Sequence, residues 1–506
     1  MYTLPDSDSD SNKMEARASI PVSLPVPNPT TSYWQDPPSA IASHQSSELL
    51  PVDADVVIIG SGITGAAVAW GLLLERELGN GDGGGKGGGK IVMLEARGAC
   101  SGATGRNGGH TKAASYRSFP SNVQTMGLAE ASKIARMELA NIRATHAFAK
   151  RHGIECEARS CDTVDVIYDE AEWKRCVEAV TLMREVFTQP GDSEGVARYQ
   201  LWSAAEVREK FLVQGEGMRG EEVRGAVSYE AGSISAYAFV TGVLELCLER
   251  GLQLYTYTPA LALTKAERGQ GQGQGQDGSG HGNLEIKTAK GVLRARRVVL
   301  ATNGYTAHLL PAFQGKIVPL RGQVTAHRPG SGLPVAGLDT TYSFIYEHGF
   351  EYMVPRPADS PFPGDIVIGG GLARAVDGGL GEFGETDDGG LNGEISAYLE
   401  ETTRRYFGGE VWGVDGEEGR VRREWTGVMG YTADGCPFVG GVPGMDGVWI
   451  AAAFQGHGMV FCWESARALV GIMRGGEEEV EVGEWFPGGF GVTGERLAKV
   501  FEGRLF

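Results

Sequence analysis

Gly60, Gly62 and Gly65 stand at GxGxxG spacing in "ADVVIIGSGITGAAVAWGLLLERE", with a β-branched apolar run, Val56–Ile59, before them and an apolar helical pattern after. This order suits a pyrophosphate. Gly60 permits a tight turn, Gly62 lets phosphate approach the backbone, and Gly65 lets the helix pack close to the strand. Ile63 and Thr64 open the helix, where free N–H groups and the dipole favour anions. A ribose-binding acid must then follow a second strand. "KIVMLEA" supplies Glu95, followed by Ala96 and Arg97, but Glu95 lies 30 residues past Gly65. Removing the 12-residue Gly/Lys-rich stretch at 79–90 leaves 18 and restores the spacing. A flavin or a nicotinamide dinucleotide fits this much equally.

Three further stretches carry chemistry. "SGATGRNGGHT", residues 101–111, holds four glycines, an arginine and a histidine. It is too rich in glycine for a helix and too poor in apolar surface for a strand, so it reads as a loop whose backbone lies close against a ligand. "VVLATNGYT" reads as a buried strand ending in the small-residue turn Ala301, Thr302, Asn303, Gly304. "GVWIAAAF" reads as a strand, Gln455-Gly456-His457-Gly458 as a turn, and Met459 onward as a helix. A helix N-terminus at that turn would stabilise negative charge on a ligand.

The elements that position these groups sit in a chain of 506 residues, long enough for two or three domains. Strands alternating with helices predict an α/β fold. The formal charge of −18 argues against a nucleic-acid surface and against docking on anionic membrane. No apolar run approaches the roughly 18 residues of a membrane span. The opening "MYTLPDSDSDSNK" lacks the apolar stretch of a signal peptide, which predicts a cytoplasmic protein. Seven cysteines without a CxxC predict free thiols and no metal site. Residues 1–51, rich in Ser, Pro and Asp, are expected to be a disordered tail. The stretches 79–90 and 268–282 are expected to be flexible insertions, the second between strands that continue into a turn at Lys290–Gly291.

Across residues 50–475 the chain resembles the D-amino-acid-oxidase/sarcosine-oxidase superfamily of FAD-dependent amine oxidoreductases, most of all its γ-glutamylputrescine oxidase branch. Four motifs in the family's order carry the likeness: "DADVVIIGSGITGA", "SGATGRNGGH", "VVLATNGYT", and the pair "YTADGCPFVG" and "AAAFQGHGM". The resemblance implies a discontinuous Rossmann-like FAD-binding domain at 52–118, 225–310 and 425–480. It implies a mixed-sheet α+β substrate domain at 119–224 and 311–424, with 481–506 as a C-terminal extension. Ser101, Arg106, Asn107, Gly108 and Gly109 would line FAD, together with Ala301–Gly304 and Gly456–Met459. His110 would point towards the active site.

The activity implied is oxidation of the C–N bond of a small amine or amino acid to an imine, with O₂ as the expected electron acceptor. A dehydrogenase serving a quinone or protein acceptor and a non-catalytic flavoprotein are the alternatives. His110 and Tyr431 are candidates for polar groups near the substrate, and Arg321 for a carboxylate holder. Sarcosine-oxidase-type members attach flavin through a cysteine just before a Tyr-Thr pair. Here "GVMG" precedes Tyr431-Thr432, so FAD is expected to be non-covalent. Those members also place a lysine on the substrate-domain strand facing the flavin. The matching strand, Asp365–Gly370, has none, and no lysine occurs between Lys316 and Lys499. The remaining candidate cations at the ring are Arg106, Arg321, protonated His110 or His457, and the substrate itself.

Overall fold

The apolar run Val56–Ile59 ends Asp53–Ile59, an inner strand of an eight-stranded sheet in the computed structural model, which describes residues 8–77, 89–217, 220–266, 283–347 and 349–503. Five parallel strands run in the order Val448–Ala452, Gly291–Leu300, Asp53–Ile59, Ile91–Leu94, Gln253–Tyr255. Val56 and Ile58 enter the core on one face, while Val57 and Ile59 enter the core on the other. A parallel sheet covered on both sides produces this pattern, and it explains why the run is continuously apolar rather than alternating. The first face is packed by helices Ile63–Glu77, Ala236–Glu249 and Gly458–Arg474. Gly71 lets two of them approach, since a Cβ there would lie 3.1 Å from Val470. Strands Leu284–Thr288 and Gly291–Leu300 form the expected hairpin, extended by Ala262–Lys265.

The second sheet has nine strands and is antiparallel except where Thr341–Ile345 runs parallel to Arg159–Ile167. The chain leaves the first sheet at Leu94 and enters the second at His110–Thr111, which pairs with Gly225–Ser233. Residues 95–109 therefore bridge the two sheets. Gly225–Ser233 and Val421–Tyr431 belong to this second sheet. The dinucleotide sheet thus draws its later strands from 253–300 and 438–452, a narrower share than the expected 225–310 and 425–480.

Residues 8–50 differ most from expectation. They are not a loose tail. Helix Asp8–Ala18 places Met14 and Ala18 in a core cluster with Phe383 and Phe501, and Tyr33 packs against Trp425. Their order comes from partners far along the chain, which local composition does not reveal. The two low-complexity stretches fall outside the described residues, apart from Gly89 and Lys90. All seven cysteines are free. No helix among the described residues is long and apolar enough to cross a membrane.

Candidate functional site

A cavity of about 480 Å³ lies between the two sheets and joins the glycine turn at one end to the second sheet at the other. Its walls bring together almost all of the sequence-predicted residues.

The glycine turn behaves as the spacing predicts. Gly60 has φ +105°, and a Cβ there would lie 2.5 Å from the Ala301 carbonyl oxygen. A Cβ on Gly65 would lie 2.0 Å from the Gly60 carbonyl oxygen, so only glycine allows the helix this close. Gly62, Ile63 and Thr64 line the cavity. The Glu95 carboxylate is fixed beside them. Its Oε2 accepts from the Ser61 amide at 3.0 Å and hydroxyl at 2.6 Å, and its Oε1 accepts from the Arg97 amide at 3.0 Å. Ala96, Arg97, Asn107, Gly108, Ala301, Thr302 and Asn303 line the same space. So do Gly456, His457, Gly458 and Met459, where helix Gly458–Arg474 begins.

Four predicted residues lie behind the wall rather than in it. Gly65 serves packing. Gly109 has φ +76° and sits under the Ile234 carbonyl. Gly304 abuts the Met429 carbonyl, and Ser101 accepts from Arg97 through its own carbonyl at 3.1 Å.

The arginines are more committed than expected. Arg97 grips Asp388 with two bonds of 2.8 and 3.0 Å. Arg106 lies 3.3 Å from the same carboxylate and donates to the Thr426 carbonyl at 2.6 Å and the Thr30 hydroxyl at 2.7 Å. Burial brings its guanidinium down to about 10. Arg106 therefore lines the cavity and ties the bridging loop to the second sheet. Arg321 lines the cavity, paired with Glu382 at 2.7 Å and donating to the Asp387 carbonyl.

His110 lines the cavity with Nε2 2.8 Å from the Thr341 hydroxyl. Burial, and then the charge of Lys112, hold its pKa well below 6.5, so it is a neutral imidazole at physiological pH. His457 donates from Nδ1 to the Gln455 carbonyl at 2.9 Å, and burial lowers its pKa too. Burial thus disfavours the charged form of both imidazoles. Tyr431 lines the cavity, with its phenol pKa raised by burial.

Sequence reasoning missed Lys112. It lines the cavity two residues after His110, with Nζ 2.8 Å from Asp165 Oδ1 and 2.9 Å from the Ser343 hydroxyl. Asp165 is fully buried, and its Oδ2 accepts from Tyr116 at 2.9 Å and Tyr229 at 3.0 Å. The period of two in the strand that begins at His110 was the available signal. Arg374 was also missed. It lines the cavity, lies over the Tyr398 ring at 5.1 Å, and has a buried Nε without a hydrogen-bond partner. Every other lysine or arginine lining the cavity lies within 4 Å of a carboxylate: Arg97 and Arg106 on Asp388, Lys112 on Asp165, Arg117 on Glu172, Arg321 on Glu382.

The cradle that Cβ atoms would fill, the acid beside it and the helix terminus facing it fit a dinucleotide such as FAD. Residues 55–472 match the sequence profile of the FAD dependent oxidoreductase family, DAO. The chain belongs to this family. A glycine oxidase of Pseudomonas aeruginosa is 23% identical over 40% of this chain and 49% of its own length. A probable oxidoreductase, OrdL, of Haemophilus influenzae is 22% identical over 54% of this chain and 56% of its own. The chain thus spans about half the length of the curated relatives it matches. The crystal structure of glycine oxidase from Geobacillus kaustophilus superposes with a TM-score of 0.63 at 18% identity, covering 88% of this chain and 99% of that one, and so shares the fold.

Proposed function

We propose that this protein oxidises the C–N bond of a small amine or amino acid to an imine, using non-covalently bound FAD and passing the electrons to O₂. FAD supplies the two-electron acceptor that no amino-acid side chain provides. One observation carries the substrate half of the reading. Arg374 is the single lysine or arginine lining the cavity, among the described residues, that has no carboxylate within 4 Å. A half-buried guanidinium lying over the Tyr398 ring suits a carboxylate on the substrate. This accords with the motif likeness to γ-glutamylputrescine oxidases, and an amine that also bears a carboxylate is our finer reading.

The other residues position and exclude. Neutral His110 and Tyr431 offer polar contacts without charge, so the amine enters in its neutral form. kcat/KM therefore rises with pH towards the amine's own pKa. Gly108 leaves room for the Tyr352 ring, which covers the bridging loop, since a Cβ there would lie 2.1 Å from that ring. Burial pushes the Cys436 thiol up to about 12, and it lies beyond Tyr431, so no thiolate stands ready for covalent attachment.

The test is an anaerobic screen of amines and amino acids against the yellow protein. Bleaching of the flavin by at least one of them is the expected result, and no bleaching by any would reject the reading. Admission of air should restore the colour and release peroxide. Bleaching without peroxide would replace O₂ with a quinone or protein acceptor. Acid precipitation should leave the flavin in solution.

A further inference from the structure

The family profile begins at residue 55, yet Leu24 and Pro25 line the cavity. The Val26 carbonyl, next in sequence, accepts from Arg97 at 3.2 Å, which places this stretch on the Glu95–Arg97 side. The segment then seals the bridging loop. Ser32 and Gln35 donate to the Gly105 carbonyl at 2.7 and 2.8 Å, and the Trp34 indole donates to the Asn107 carbonyl at 2.5 Å. Thr30 closes the other side. Its amide donates to the Asp388 carbonyl at 2.8 Å, and its hydroxyl accepts from Arg106 at 2.7 Å and from the Thr426 amide at 3.0 Å.

We infer that residues 24–35 are part of the FAD site. Leu24 and Pro25 form the wall over the adenosine half of the cofactor, and Thr30 to Gln35 hold the loop against its remainder. Three observations support this. Leu24 and Pro25 are half-buried and face a cavity, so a ligand would complete their burial. The loop carbonyls of Gly105 and Asn107 have their side-chain donors in this segment. Asp388, which holds Arg97 and Arg106, is also the seat of Thr30. Docking of the segment and binding of FAD then favour one another, because each orders the same loop. The inference rests on FAD as the cofactor, and its test separates the two.

The experiment uses full-length apoprotein titrated with FAD, following flavin fluorescence, alongside thermal melts with and without FAD. The variants are the pair Leu24→Ala with Pro25→Ala, and separately Thr30→Val. The pair should weaken FAD binding about tenfold, the size of removing roughly 1.4 kcal/mol of contact. It should leave the apoprotein Tm unchanged and shrink the rise in Tm that FAD produces. Thr30→Val should act in the same direction, and FAD should slow protease cleavage between residues 20 and 30 of the wild type. An unchanged dissociation constant in the pair would overturn the inference. So would an equal fall in Tm with and without FAD, which marks a structural role only. Failure of the wild type to bind FAD would overturn the cofactor itself, a different outcome.

Discussion

Lys112 Nζ meets Asp165 Oδ1 at 2.8 Å where the two sheets face one another, and the carboxylate is wholly shut off from solvent. The ammonium therefore stands as a fixed charge in a low-dielectric wall, where its field on a neighbouring group is far stronger than in water. The strand Asp365–Gly370 carries no lysine, and Lys112 is the one lysine lining the cavity among the described residues. Burial lowers its pKa and the Asp165 carboxylate offsets only part of that shift, so the ammonium depends on its partner. Lys112→Met alone would strand a buried carboxylate and cost about 3–5 kcal/mol of stability. Lys112→Met with Asp165→Asn should avoid that cost. We expect the double variant to react with O₂ at least ~10-fold more slowly, with anaerobic reduction by substrate little changed. Equal slowing of both half-reactions in stopped flow would remove Lys112 from the oxygen step.

Arg374→Gln should raise KM about 30-fold for a substrate bearing a carboxylate, corresponding to roughly 2 kcal/mol for a hydrogen bond to a charged group. For the corresponding amine without a carboxylate, KM should stay put. Steady-state kinetics on such a substrate pair decide it. An equal loss on both substrates would move the carboxylate elsewhere.

Glu95→Ala should weaken FAD binding by about 1–3 kcal/mol, because it leaves the ribose hydroxyls and the Ser61 amide without their acceptor. Fluorescence titration of the apoprotein measures this. An unchanged dissociation constant would take Glu95 out of the site.

Glu138 is buried behind the cavity, and burial pushes its carboxyl up to about 7 against hydrogen bonds from Ser115 at 2.5 Å and Ala114 at 3.3 Å. Between its ordinary 4.5 and about 7 the folded state holds this proton more tightly than the unfolded chain. The stability it contributes is present below that window and is lost as pH rises through it, to a total of about 3 kcal/mol. The half-buried imidazoles His110, His146 and His457 act oppositely below pH 6.5, where the unfolded chain takes up their protons. The readout is therefore the difference between wild type and Glu138→Gln in denaturant titrations from pH 4.5 to 7.5. The variant should lack the falling component. Parallel curves would mean that the carboxyl is not perturbed.

The dinucleotide cradle was legible because its requirements are local. Gly60, Gly62, Gly65 and Glu95 reveal themselves by spacing once the insertion is removed. The partners of Arg106 and Arg321 were illegible because a sequence shows a charge and not what it pairs with, and Asp388 and Glu382 arrive from distant turns. The segment 8–50 was illegible for a related reason. Beyond helix Asp8–Ala18 its Ser, Pro and Asp content shows no regular period, and Thr30 and Ser32 are held by Gly105, Asp388 and Thr426 rather than by their neighbours. The strand Gly225–Ser233 carries no mark of which sheet it joins, since it is buried along almost its whole length and shows no alternation.

Thr30 and Thr426 lie 396 residues apart in sequence and touch in the fold. The contact closes a loop of that length, so Thr30 docks only once Val421–Tyr431 has been made and has joined the second sheet. The order of this segment is thus a long-range event in folding, whatever its local composition.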